Sequence, residues 1–107
     1  MAETYRNARA IAGTTATTVI TGATGGATLV RSITLHNSTS TPRTVDVWWT
    51  DDSAGDARTD IVTTLGLVEG APWEIPGPLI LEDGDALVVE ADAAAAVHVT
   101  VAAVEVT

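Results

Sequence analysis

Four groups of residues in this 107-residue chain are of types that do chemistry. The first, Val19-Ile20-Thr21-Gly22-Ala23-Thr24-Gly25-Gly26, has the glycine-rich texture of a dinucleotide-binding loop. Such a loop needs glycines that let pyrophosphate approach the backbone, and a helix whose N-terminus faces the phosphate. Here Thr28 stands at the third glycine position, and Leu29 to Leu35 alternates as a strand, so the segment reads as a flexible Gly/Thr turn. In the second group, Asp51, Asp52, Asp56 and Asp60 surround Ser53-Ala54-Gly55 and offer hard oxygen ligands suited to calcium. The D-x-D-x-D-G order of an EF-hand is absent and Arg58 lies among the acids, so a solvated acidic loop without a metal is expected. The third group is a pair of histidines, His36 and His98, each alone in sequence without a second ligand at zinc-like spacing. His98 is out of phase with the valines around it, which points it to the surface or an interface. No G-x-S-x-G elbow and no recognisable Ser–His–Asp partnership occurs, so the chain reads as a non-enzyme with no catalytic residue and no cofactor.

The fourth group is the scarce aromatics: Tyr5, Trp48, Trp49 and Trp73, with no phenylalanine. Alternation along Val45-Asp46-Val47-Trp48-Trp49 puts Trp49 in the core with Val45 and Val47. Trp48 then falls on the opposite face, either as an exposed anchor for a partner or covered by a loop or arm of its own subunit. Trp73, between Pro72 and Ile75-Pro76-Gly77-Pro78, is expected to plug one end of the fold.

The elements that must position these groups are short Val/Ile/Leu/Thr runs broken by Gly, Pro and Asp, which is how strands and turns read. The pattern places strands at 17–21, 27–36, 44–50, 60–68, 72–75, 78–82, 86–91 and 96–106. Leu29, Ile33 and Leu35 share one phase, with Thr28, Ser32 and Thr34 on the other. Glu82-Asp83-Gly84-Asp85 gives a hairpin signal with its Asp-Gly at the tip. Val97, Val99 and Val101 are odd but Val104 and Val106 even, so a bulge at Ala102–Ala103 is expected to return them to one face. The expected fold is all-β: a small antiparallel β-sandwich, Greek-key or jelly-roll-like, over residues 17–107. Residues 1–16 show no sustained period and read as an extended N-terminal arm, with at most a helical turn or two near Tyr5 to Ile11.

The charge distribution bears on partners. Residues 1–45 set four arginines against Glu3, whereas residues 46–107 set Arg58 against thirteen acids, for a net charge of −9 without a single lysine. That balance argues against nucleic acid and suits contact between a basic leading segment and an acidic body. No apolar run approaches the roughly 20 residues of a membrane helix. Nor does an apolar signal-peptide core follow the polar start, so a soluble protein without a membrane partner is expected. Cysteine is absent, which removes disulfides and thiolate chemistry.

Two stretches carry a resemblance through their order of strands and turns. One is Val30-Arg31-Ser32-Ile33-Thr34-Leu35-His36-Asn37 with Val45-Asp46-Val47-Trp48-Trp49. The other is Gly77-Pro78-Leu79-Ile80-Leu81-Glu82-Asp83-Gly84-Asp85-Ala86-Leu87. Over residues 28–107 the chain resembles the small β-sandwich virion proteins of tailed bacteriophages, which include capsid decoration proteins and tail-associated modules. The resemblance implies a non-enzymatic virion component assembled in the host cytoplasm, often a trimer, bridging major capsid protein subunits. A tail or baseplate component is the alternative within that class. A carbohydrate-binding module using Trp48, Trp73 and a calcium-loaded acidic loop is the alternative outside it. The residues expected to meet a partner are Tyr5, Arg6, Arg9, Ile11, Trp48 and Trp73.

Overall fold

A computed structural model describes residues 2–107. Strands form wherever apolar residues recur at every second position, and Gly, Pro and Asp end them. In chain order they are β1 (Glu3–Ala12), β2 (Thr17–Thr21), β3 (Ala27–Asn37), β4 (Arg43–Asp51), β5 (Ala57–Leu67), β6 (Pro72–Glu82), β7 (Ala86–Ala91) and β8 (Val97–Val106). A single 3-10 turn, Asp52–Ala54, is the only helical element among the described residues.

Two four-stranded antiparallel sheets result: sheet A in the order β1-β8-β3-β6 and sheet B in the order β2-β7-β4-β5. Only β4 and β5 are both consecutive in the chain and hydrogen-bonded to each other; every other connection crosses between the sheets. That winding is the eight-stranded jelly roll. The all-β sandwich expected from periodicity is therefore what the chain forms. Its core interdigitates Ile33, Leu35, Leu81, Val97, Val99 and Val101 of sheet A with Val45, Val47, Leu87 and Val89 of sheet B, all buried.

Several expectations are corrected. The segment expected as an arm is the edge strand β1, paired with β8 over its whole length; residue 1 of that expected arm lies outside the described residues. Its period-2 signal is carried by small residues: Ala8, Ala10 and Ala12 pack on the core, and alanine is a weak marker of a buried strand face. No helical turn forms near Tyr5 to Ile11.

The phase change in β8 has another cause than the expected bulge. The β1–β8 ladder runs without a register shift, and Ala103 simply continues the inward row of Val97, Val99 and Val101. The irregularity sits in β3, where Val30 pairs with Ala103 and Ser32 with Ala102, leaving Arg31 unopposed. This bulge puts Thr28 and Val30 inside with Ile33 and Leu35, and turns Leu29 out. Opposite it, Gly77 is required: a Cβ there would lie 2.5 Å from the Val30 carbonyl oxygen.

The segments 72–75 and 78–82 form one strand, β6, continuous through Pro76-Gly77-Pro78. The Asp-Gly turn at 83–84 forms, with Gly84 at φ 91, but it is a corner carrying the chain from sheet A to sheet B, not a hairpin between paired strands.

Candidate interaction surface on sheet A

In an antiparallel sheet, residues directly opposite each other share a face, so the registers define rows across sheet A. One outward row reads Tyr5, Val104, Leu29, Ile80 across all four strands. It brings together residues 99 positions apart in sequence, and its ends are bare: Tyr5 is 85% exposed and Ile80 60%. A shallow groove of about 310 Å³, lined by Glu3, Tyr5, Leu29, Arg31, Val104 and Val106, follows this row. Glu3 and Arg31, both exposed, supply the charge at its rim. Large apolar side chains with a charged rim mark a protein-binding surface. Sequence reasoning had Tyr5 but missed Val104, Leu29 and Ile80, because it expected the bulge in β8 and not at Arg31, which set Val104 and Leu29 among the inward residues.

The other expected contact residues fare differently. Arg6 forms an ion pair and hydrogen bond with Glu105 on the neighbouring strand, so its charge is matched within the subunit. Ile11, 54% exposed, lies further along the same outer face, beside His98.

Trp48 does lie on the outer face of sheet B, opposite Val88, but it is only 6% exposed. The Arg58 guanidinium, brought over by the β4–β5 hairpin, stacks 3.8 Å from its ring centroid, and Arg58 Nε donates to Asp60 Oδ1 at 2.7 Å. Trp48 is thus not an exposed anchor; its cover comes from the adjacent strand of its own subunit. Trp49 packs against the core, as the alternation requires. Trp73 does not plug an end: it sits on the edge strand β6 opposite Leu35, half exposed. An edge strand has a neighbour on one side only, so half its large ring stays in solvent. Further along β6, a small apolar cleft of about 220 Å³ opens between Ile61 of β5 and Ile33, Ile75 and Leu79 of sheet A.

The remaining sequence motifs acquire structural explanations. The glycine-rich segment is the β2–β3 corner. Gly22 is pressed so close to the Glu82 carbonyl that a Cβ would meet it at 1.8 Å, and Gly26 is equally tight against Val106. Buried Thr28 holds this corner, its Oγ1 accepting from Ala23 N (2.9 Å) and donating to Thr21 O (3.2 Å). In the acidic loop, Asp51 caps the 3-10 turn by accepting from Ser53 N and Oγ, and Asp60 holds Arg58. Among the described residues no three His, Cys, Asp or Glu converge as a metal-binding group. His36 and His98, distant in sequence, are direct cross-strand neighbours on the outer face of sheet A, with ring centroids 6.3 Å apart and nearly perpendicular planes.

Two buried polar residues fix the loops around this frame. Asn37 Nδ2 donates to the carbonyls of Thr41, Leu67 and Val68, while its Oδ1 accepts from Thr39 N and Oγ1. Asp85 accepts from Asp52 N and Glu82 N, both at 2.9 Å, joining the acidic loop to the β6–β7 corner.

No family model and no curated protein matches the chain.

Proposed function

We propose that this protein is a non-enzymatic virion structural protein, most simply a capsid decoration protein whose sheet A face grips neighbouring major capsid protein subunits. One observation carries the reading: the outward row Tyr5, Val104, Leu29, Ile80, apolar and largely uncovered across the full width of one sheet. The jelly-roll winding, common among capsid proteins, and the resemblance of residues 28–107 to small phage virion proteins support it. Many copies, each making a modest contact, would add up over a shell by multivalent binding.

The test is co-sedimentation of the purified chain with empty shells of the major capsid protein encoded in the same genome. The wild type should pellet with the shells, and the double variant Tyr5→Ser, Ile80→Ser should lose roughly tenfold or more in occupancy, as hot-spot loss does. Protein left wholly in the supernatant rejects capsid decoration. Retention on tail structures, or on immobilised glycans, would instead select the tail component or the carbohydrate-binding module.

A further inference from the structure

The four sheet edges are not equivalent. An open edge exposes a row of unpaired backbone donors and acceptors, and proteins usually blunt it with short strands, bulges, charges or proline. The β2 edge is five residues long and shifts register between Thr18 and Ile20. The β5 edge has two register shifts against β4, and Thr64 bends it with a left-handed φ of 52°. The β6 edge carries Pro72, Pro76 and Pro78, each of which lacks a backbone donor. By contrast, β1 is ten residues long, proline-free and paired to β8 without a shift. Its only guard is charge, and because Glu3 and Arg9 are of opposite sign that charge does not repel a second copy.

Which of its backbone groups are free follows from the ladder. Ala2 and Thr107 exchange both hydrogen bonds, at 2.8 and 2.9 Å. Because hydrogen-bonded and non-hydrogen-bonded pairs alternate in an antiparallel ladder, the even residues of β1 bond to β8. Glu3, Tyr5, Asn7, Arg9 and Ile11 therefore aim their N–H and C=O groups at the open edge. Their side chains are the ones on the outer face, in the same rows as Val106, Val104, Ala102, Thr100 and His98.

We infer that β1 pairs antiparallel with β1 of a second copy about a two-fold axis at Arg6, joining two copies of sheet A into one eight-stranded sheet. Only odd residues have free backbone groups, so odd must face odd, and this also keeps both outer faces on the same side. Of the registers centred within the strand, only one opposes Glu3 to an arginine. An axis at Tyr5 sets Glu3 against Asn7, one at Asn7 sets Glu3 against Ile11 and Tyr5 against Arg9, and one at Ala8 sets Tyr5 against Ile11 and leaves Glu3 outside the pairing. The axis at Arg6 sets Glu3 against Arg9 of the second copy, twice by symmetry, and Tyr5 against Asn7. The two Tyr5 rings then lie on the diagonal, within aromatic reach, and connect the apolar rows of both copies. The two Arg6 residues that meet at the axis are each already matched by their own Glu105. A two-fold, self-complementary contact of this kind closes at the dimer, in place of the trimer that the resemblance implies. It requires no particle and holds whatever that surface binds.

Sedimentation of the full chain at concentrations up to about 100 µM decides the matter, since a dimer follows mass action. The expected species has twice the chain mass. Asn7→Pro deletes a donor aimed at the second copy that β8 does not use, so it should give a monomer with an unchanged β-type circular dichroism spectrum. Arg9→Glu leaves the backbone intact and sets two acids face to face, weakening the dimer by about tenfold or more. Adding Glu3→Arg to Arg9→Glu should restore it. If Asn7→Pro does not fold, the charge swap and its rescue carry the test alone. A monomer at every concentration, a trimer, a dimer that survives folded Asn7→Pro, or a charge reversal without effect overturns the proposal.

Discussion

The outer faces of the two sheets solve the same problem in opposite ways. Each has large apolar side chains at its centre, Trp48 and Val88 on sheet B and Leu29 and Val104 on sheet A. On sheet B the β4–β5 hairpin lays Arg58 over Trp48, and the indole is buried inside its own subunit. On sheet A none of the described residues folds over the row, and Tyr5 and Ile80 stand in solvent at its two ends. The difference lies in the edge strands. The edge β5 follows a short hairpin that can fold a long cationic side chain back onto its neighbour. The edge β1 is joined to its neighbour β8 by no such hairpin and offers only its own free backbone. Where cover is intramolecular the surface is finished; where it is absent, cover must come from another molecule.

Substitutions on each face put this contrast at risk. The largest expected effect on stability is on the finished face. Trp48→Ala should cost about 3 kcal/mol in denaturant unfolding, yet leave self-association of the folded fraction intact. Next, Arg58→Ala removes only the lid and should cost about 1 kcal/mol by the same measurement, the worth of a partly desolvated cation–π contact. If Trp48 were held by the core and not by this cover, Arg58→Ala would be silent. On the open face, Tyr5→Ser with Ile80→Ser should change the stability of dilute monomer by no more than about 0.5 kcal/mol, while lowering occupancy on capsid shells about tenfold or more. The smallest effect is that of calcium. With Asp51 and Asp60 engaged within the loop, added calcium should leave the melting temperature where it is, because a ligand stabilises only a state it binds. A clear rise would favour the carbohydrate-module reading.

Much of the fold was legible because period-2 alternation of valine, leucine and isoleucine reports buried strand faces directly. It succeeded where the apolar residues are large, as along β4 and β7, and failed at β1, where alanines do the burying. The outer row was illegible for a different reason. A one-residue bulge inverts every side chain beyond it. The even valines of β8 suggested a bulge there, but the extra residue is Arg31 on the adjacent strand. Sequence shows that two phases conflict, not which strand yields. The buried Asn37 and Asp85 were invisible too, since their partners are backbone groups, among them the carbonyls of Leu67 and Val68, some thirty residues from Asn37. Charge could be read at once, but its pairing could not: Arg6 meets Glu105 only because β1 and β8 are neighbours.

If sheet A is completed by another molecule along β1, residue-resolved amide exchange on the native full-length chain will register it at the backbone groups concerned. The amides of Thr4, Arg6 and Ala8 bond to β8 and should exchange slowly at any concentration at which the fold persists. The amides of Tyr5, Asn7 and Arg9 face the open edge. They should match that slow exchange in concentrated solution and lose their protection on dilution, as the second copy leaves. Fast exchange of Tyr5, Asn7 and Arg9 at every concentration, beside protected Thr4, Arg6 and Ala8, would show that the edge stays bare and contradict completion of the sheet.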